Sequence, residues 1–220
     1  QTWVIFGLPY YIFAIIYAFV IPKRVLKLNS YSLSDHFQIT YGAKAGIISA
    51  LYVLVLASPA PYILSLGVLT SFITGISPQM SIILTTSFTF LYLWKGGFGA
   101  IIRTDILQFI LMFLGFFLLL FFCLDHKPFS TMINELPKTF LTKEGLGSLQ
   151  YIFVWFFIAM WTFVDPGFYQ RIIASGSIRV AKKGILISVI FWFIFDILTI
   201  STALYAKTLF PFSNPLLIYP

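Results

Sequence analysis

Three acids and an amide stand in this chain where apolar sequence surrounds them: Asp105, Gln108, Asp165 and Asp196. The run Phe163-Val164-Asp165-Pro166-Gly167-Phe168-Tyr169-Gln170-Arg171 puts an acid and a helix breaker at the end of an apolar segment. Pro166 has no backbone N–H and disfavours helix at the residue before it, so carbonyls near residues 161 and 162 are expected to lose their partners. Freed carbonyls beside a carboxylate can line a polar cavity, as interrupted membrane helices do around ions and solutes. The alternative is a helix-end acid paired with Arg171. Asp196 lies within Phe191-Trp192-Phe193-Ile194-Phe195-Asp196-Ile197-Leu198-Thr199, where an acid in the middle of a membrane helix costs roughly 2.5 to 3.5 kcal/mol on insertion scales. It must face protein or water, beside a polar strip of Thr199, Ser201 and Thr202. It is either an ion or proton site, or an anchor for one, or a protonated acid that hydrogen-bonds two helices together. Asp105 sits beside Arg103 about one turn into an apolar span, in reach of a salt bridge or of the helix-start dipole. Gln108, one turn deeper, can hydrogen-bond across helices.

These residues need elements to hold them, and composition says of what kind. The 220 residues are 60% hydrophobic, 10% charged and 20% aromatic, with a mean hydropathy of +0.96. That is a membrane composition. Windows of about 20 apolar residues, the length that crosses the hydrocarbon core, predict six spans near residues 3–21, 43–72, 80–94, 100–124, 149–170 and 181–206. Their continuity argues for helices, because lipid-facing barrel strands alternate apolar and polar residues. The fold class is therefore all-α integral membrane, a single transmembrane domain over residues 1–220.

If six helices alternate, ten of the 14 basic residues fall on one side: Lys23, Arg24, Lys27, Lys44, Lys95, Arg103, Arg171, Arg179, Lys182 and Lys183. Lys127, Lys138, Lys143 and Lys207 fall on the other, diluted by Asp125, Glu135 and Glu144. The basic side is cytoplasmic by the positive-inside rule, so the first span runs inward. The net charge of +7 thereby has an explanation without nucleic acid, since the basic residues form short juxtamembrane clusters instead of one soluble stripe.

Enzymatic signatures are missing. Gly96, Gly97 and Gly99 fit no phosphate-binding or dinucleotide spacing, and His36 and His126 fall on opposite sides of the membrane, which leaves no hydrolase or metalloprotease signature. The reading is not an enzyme and no cofactor. Single Cys123 admits no disulfide within the chain. The glycines at 96–99 are expected to form a tight turn between two helices. Ser58-Pro59-Ala60-Pro61 is expected to kink the second span. Ser32 or Ser34 is placed to cap a short helix in the inner loop, and the outer loop carries an amphipathic stretch around Phe129, Met132, Ile133 and Leu136 between Pro128 and Pro137. Gln1 enters an apolar helix with no charged leader, and the segment from Phe210 to Pro220 resembles a loop, so the chain reads as the interior of a longer protein.

Three motifs, in order, resemble the sodium:solute symporter family. Trp94-Lys95-Gly96-Gly97 followed by Arg103-Thr104-Asp105-Ile106-Leu107-Gln108 is similar to its Gly-Gly turn and Thr-Asp-x-x-Gln. Asp165-Pro166 with Arg171 and Ala174-Ser175-Gly176-Ser177 resembles a later motif of an amide, an Arg and Ala-Ala-Lys-Ser. Pro22, then Ser32-Leu33-Ser34-Asp35-His36-Phe37 and Tyr41-Gly42, resembles the inner loop Thr-Leu-Pro-Asp-Phe with Arg-Tyr-Gly.

The resemblance implies part of an inverted-repeat (5+5) symporter core, with the six transmembrane helices corresponding to core helices two to seven. It implies a plasma (inner) membrane protein that carries a small polar organic solute with sodium as coupling ion, by alternating access. The family's sodium ligands lie on core helices one and eight, so no metal site is complete within these residues. Trp161, Thr162 and Asp165 fall in the helix that lines the solute cavity in the family and become candidate substrate contacts. Asp105, Gln108 and Asp196 become candidates for the ion pathway. Asp165 departs from the family's usual amide, which points to a different or a cationic solute. The other readings are a symporter-like sensor domain joined to a signalling kinase and a passive channel.

Overall fold

A computed structural model describes residues 3–27, 30–137 and 147–210, and every regular element among them is helical. A π-helical turn, Trp3–Gly7, leads into α1 (Leu8–Lys27); α2 (Leu33–Tyr41), α3 (Ala43–Leu56), α4 (Ala60–Thr74), α5 (Pro78–His126) and α6 (Phe129–Glu135) follow. The last part holds α7 (Leu149–Ile158), a 3-10 turn (Ala159–Phe163), α8 (Pro166–Ser175) and α9 (Ile178–Leu209). The tail beyond Phe210 and the outer loop at 138–146 lie outside the described residues.

The chain forms two compact units, one of residues 1–49 with 113–220 and one of residues 50–112. In the first, α1 supplies the central stripe. Ala14, Tyr17, Ala18, Ile21 and Val25 recur at the spacing that puts side chains on one helix face, and they meet Tyr169 and Ile172 of α8 and Ala181 and Ile185 of α9. Ala14 and Ala18 are buried. Small residues at such a seam let helix backbones approach closely, which is how helices associate where lipid supplies no hydrophobic driving force.

A second cluster sits at the far end of α9, where Met132 and Leu136, in and just after α6, pack on Tyr205. The amphipathic reading of this loop holds for Met132, Leu136 and Ile133, whereas Phe129 is exposed. Lys127 and Glu135 close the short helix with a 2.6 Å salt bridge. In the inner loop, Ser32 caps α2, its hydroxyl accepting from the backbone N–H of Asp35 at 3.1 Å, and the Asp35 carboxylate accepts from Tyr31 N–H at 2.8 Å. That exchange is akin to a capping box, with the Asp35 carboxylate reaching the N–H of the residue before the cap instead of that of Ser32. Gly42 then takes φ 89°, which turns α2 into α3.

The second unit holds the end of α3, all of α4 and the first part of α5. The expected kink at Ser58–Pro61 is a full break, since α3 stops at Leu56 and α4 starts at Ala60 with Pro59 as its cap. Gly67 of α4 lies directly against Ile82 of α5: a Cβ added there would fall 3.2 Å from the Ile82 Cα.

The turn expected at residues 95–99 is helical. α5 runs unbroken for 49 residues, about 74 Å at 1.5 Å per residue and more than twice the hydrocarbon thickness. Glycine permits a turn without forcing one; within a helix it costs about 1 kcal/mol against Ala, and the apolar sequence on both sides continues the helix.

Five helical stretches among the described residues are long and apolar enough to cross a bilayer: Trp3–Lys27, Ala43–Thr74, Ile101–His126, Leu149–Ser175 and Ile178–Leu209. Their outward side chains are large and apolar, with Leu54 and Val55 each 72% exposed. So much uncovered apolar surface marks a lipid-facing protein.

Candidate functional site

The stretch Leu149–Ser175 is an interrupted helix. Ser148 starts α7 by accepting from Tyr151 N–H at 3.2 Å. Past Ile158 the backbone tightens into the 3-10 turn and then opens at Val164 and Asp165. Pro166 restarts the helix as its first residue, where a missing N–H is harmless. Asp165 is the N-cap of α8, its carboxylate accepting from Phe168 N–H at 3.0 Å. The carboxylate also faces the positive end of the helix dipole. Gly167 lets Arg171 fold back over the same turn, since a Cβ at Gly167 would meet Asp165 Oδ1 at 2.9 Å and Arg171 Nη1 at 3.0 Å.

The break orphans fewer carbonyls than the proline implies. Val164 N–H donates to the Trp161 carbonyl at 2.9 Å, and the Thr162 hydroxyl donates to the Ala159 carbonyl at 3.0 Å. The 3-10 geometry closes bonds one residue earlier than an α-helix would, which satisfies the Trp161 carbonyl. Thr162 is buried, and Trp161 is 39% exposed.

Aromatic side chains of α1 hold both sides of the interruption. Phe13 stacks edge-on against Phe156 of α7 and Phe163 of the 3-10 turn. Tyr17 meets Phe163 at 5.6 Å and Phe168 of α8 at 5.4 Å, both edge-on. One ring therefore bridges the residues before and after the break. On the far side, the Tyr169 hydroxyl of α8 bonds the Ser30 hydroxyl, and it contacts His36 Nδ1 at 2.9 Å. His36, isolated in sequence, is thus part of a latch between the inner loop and α8.

Asp196 lies in the middle of α9 and reaches α1. The Tyr11 hydroxyl donates to Asp196 Oδ2, and Trp3 Nε1 donates to the Tyr11 oxygen at 3.3 Å. Indole N–H is only a donor, so the chain of donors runs from Trp3 through Tyr11 and ends on the carboxylate. Gly7 makes room for it, because a Cβ there would lie 2.8 Å from Asp196 Oδ2 and 2.8 Å from Trp3 Cδ1. The expected polar strip below Asp196 is turned inward on its own helix. Thr199 donates to the Phe195 carbonyl at 3.0 Å and Thr202 to the Leu198 carbonyl at 3.0 Å.

Two cavities flank this part of the first unit. One of about 420 Å³ lies between the start of α1 and the middle of α9, walled by Trp3, Tyr11, Trp192 and Asp196. The other, about 470 Å³, lies between α8 and α9 beside Phe168, Arg171 and Ser188. Trp192 lines both and packs edge-on against Phe168, the residue whose N–H caps onto Asp165.

Asp105 and Gln108 belong to the second unit, where both are exposed on α5. Asp105 falls in the interior of α5 and not at a helix start, so the dipole that acts on first-turn carboxylates does not reach it. Of the six residues singled out in sequence, Trp161, Thr162 and Asp165 gather at the interruption, and Asp196 joins α1 to α9. Tyr11, Tyr17 and the Ser30–Tyr169–His36 latch escaped sequence reasoning. Tyrosines among 26 Phe, 12 Tyr and 5 Trp carry no signal of their own; only a hydroxyl within an apolar span hints at a partner. No group of three or more His, Cys, Asp or Glu that could hold a metal ion occurs among the described residues.

The cap at Asp165 makes a direct prediction. Asp165→Ala is expected to lower stability by about 1 kcal/mol, the usual worth of an N-cap, while Asp165→Asn keeps a capping oxygen and melts with the wild type. Thermal melting of the two variants in detergent checks this.

The described residues form an all-helical membrane protein with a capped, interrupted span and an acid held between two helices. The chain belongs to the sodium:solute symporter family, whose family model matches residues 1–218. Members of this family are transporters, and the match covers nearly all the chain. No curated protein and no solved structure matches the chain significantly.

Proposed function

We propose that this chain carries part of a sodium-coupled symport of a small polar organic solute, working by alternating access in the plasma membrane. The observation that supports it best is the interruption at Val164–Asp165 in an otherwise membrane-length helix. A membrane helix that breaks and recaps itself needs neighbouring protein to satisfy its backbone, and such breaks in carriers border the solute. In this reading Trp161, Thr162 and Asp165 border the solute cavity. Trp161 offers its exposed ring, and the capped carboxylate orders the start of α8.

Asp105 and Gln108 serve the cytoplasmic end of the ion pathway, and Asp196 anchors the polar middle of α9 to Tyr11. Alternating access then needs α1 and the broken helix to move while staying packed on one another. The aromatic contacts of Phe13 and Tyr17 across the break suit that role. The latch at Tyr169 would carry the motion of α8 to the inner loop.

The test is uptake of candidate solutes into proteoliposomes holding the full-length protein, with and without an inward sodium gradient. The expected result is uptake stimulated by sodium and reduced about tenfold or more in Asp105→Asn, the loss of roughly one well-placed charge contact. Uptake indifferent to the gradient, in wild type and Asp105→Asn alike, would remove sodium coupling from this account.

A further inference from the structure

The cavity between the start of α1 and α9 has an unusual wall. The rings of Trp3, Phe6, Tyr10, Tyr11, Trp192 and Phe195 surround one carboxylate, Asp196, and among the described residues no lysine, arginine or histidine lines it. Acids within membrane-spanning helices face a cavity or a partner and not lipid. The hydrogen-bond chain gives the carboxylate donors but no charge: Trp3 donates to Tyr11, and Tyr11 donates to Asp196. A carboxylate offers about four lone-pair sites, and the Tyr11 hydroxyl occupies one of them.

The wall chemistry decides which cation suits it. A hard metal ion takes a full shell of oxygen ligands, whereas the side-chain oxygens here are those of Asp196 and the two phenols of Tyr10 and Tyr11. Aromatic faces attract alkylated ammonium groups, whose charge is spread over a weakly hydrated, apolar surface. Six rings around one acid match an alkylammonium head better than a naked ion, and about 420 Å³ is in the range of small-molecule sites.

We propose that this cavity is a binding site for a small organic ammonium ion, with Asp196 as its counter-charge and the Trp3 and Trp192 indoles as cation–π faces. This cavity is separate from the one that Trp161, Thr162 and Asp165 border in the transport reading, since none of those three residues lines it. Tyr11 is a positioning residue, holding the carboxylate toward the cavity. Trp192, shared with the neighbouring cavity beside Phe168, is placed to connect the ammonium site to the capped start of α8.

The experiment is calorimetric titration of purified full-length protein, at fixed sodium, with tetramethylammonium and separately with tert-butanol, a neutral molecule of similar shape. Wild type is expected to bind tetramethylammonium and not tert-butanol. Asp196→Asn, which keeps a hydrogen-bond acceptor for Tyr11, is expected to weaken binding about tenfold or more. Trp192→Leu should weaken it several-fold, and Tyr11→Phe less than either. Thermal melting of each variant establishes that it is folded, and Trp192→Leu serves if Asp196→Asn is not.

Absence of tetramethylammonium binding, equal binding of tert-butanol, or affinity unchanged in both Asp196→Asn and Trp192→Leu overturns the ammonium site. Sodium-driven uptake of a neutral solute without tetramethylammonium binding overturns this site and leaves symport standing. Ammonium binding lost in Asp196→Asn, with no sodium-driven uptake of any solute, keeps the site and overturns the coupling.

Discussion

Tyr17→Ala is expected to lower the stability of the full-length protein by about 3 kcal/mol, the scale of emptying a large side chain from a packed core, and to remove most transport activity. Tyr17 is 1% exposed and belongs to the cluster that joins α1, α8 and α9. Its ring also contacts Phe163 before the helix interruption and Phe168 after it. Truncation would leave a void that neither lipid nor a neighbouring side chain fills without moving a helix, so the contacts of the surrounding rings are lost outright. In lipid the transfer part of the penalty shrinks, because an exposed ring is no longer driven from water, but the packing part remains. Tyr17→Phe keeps the ring and both edge-on contacts, and should melt close to the wild type. Thermal melting in detergent, followed by size-exclusion elution, measures all three proteins. A melting point for Tyr17→Ala equal to that of Tyr17→Phe would show that the ring does not clamp the break.

Gly67→Leu is the second large effect, and it acts through overpacking. The α4 backbone at Gly67 rests on Ile82 of α5, close enough that a Cβ would overlap the Ile82 side chain and lie 3.2 Å from its Cα. Side-chain atoms can turn away, but the nearby backbone cannot, so a Leu must push the two helices apart. The expected loss is about 3 kcal/mol, at the upper end of overpacking penalties. Gly67→Ala should do less harm, and Ile82→Ala should recover part of it by clearing the Cγ atoms from the path. Melting of the single and double variants makes a cycle with a coupling energy. If Gly67→Ala with Ile82→Ala is no more stable than the sum of the two single changes predicts, steric contact between these positions is not the cause.

Both effects concern residues that sequence alone passed over, and the reasons are physical. Apolar runs, their lengths and the capping residues are local, so the membrane class, a cap of α2 at Ser32 or Ser34, a disturbance at Ser58–Pro61 and the interruption at Asp165–Pro166 were legible. The three family motifs are local too, and the match over residues 1–218 agrees with them. The turn at residues 95–99 was misread because glycine widens the choice of backbone conformations without selecting one. At Asp165 the acid stands at a helix end, one of the two expected places, where it caps α8, while the Trp161 carbonyl that Pro166 was expected to free is taken by Val164 N–H.

The sequence by itself determined that this protein lives in lipid, that its helices are long and apolar, and that an acid must sit within three of them. Only the tertiary structure decided who meets those acids. Asp196 finds Tyr11 across 185 residues of chain, and Tyr169 finds Ser30 and His36. In an apolar helix every face is greasy, so periodicity does not say which side turns inward. That choice is made by small residues such as Ala14, Ala18 and Gly67 that let backbones approach, and by the few polar atoms that must find partners where water cannot supply them.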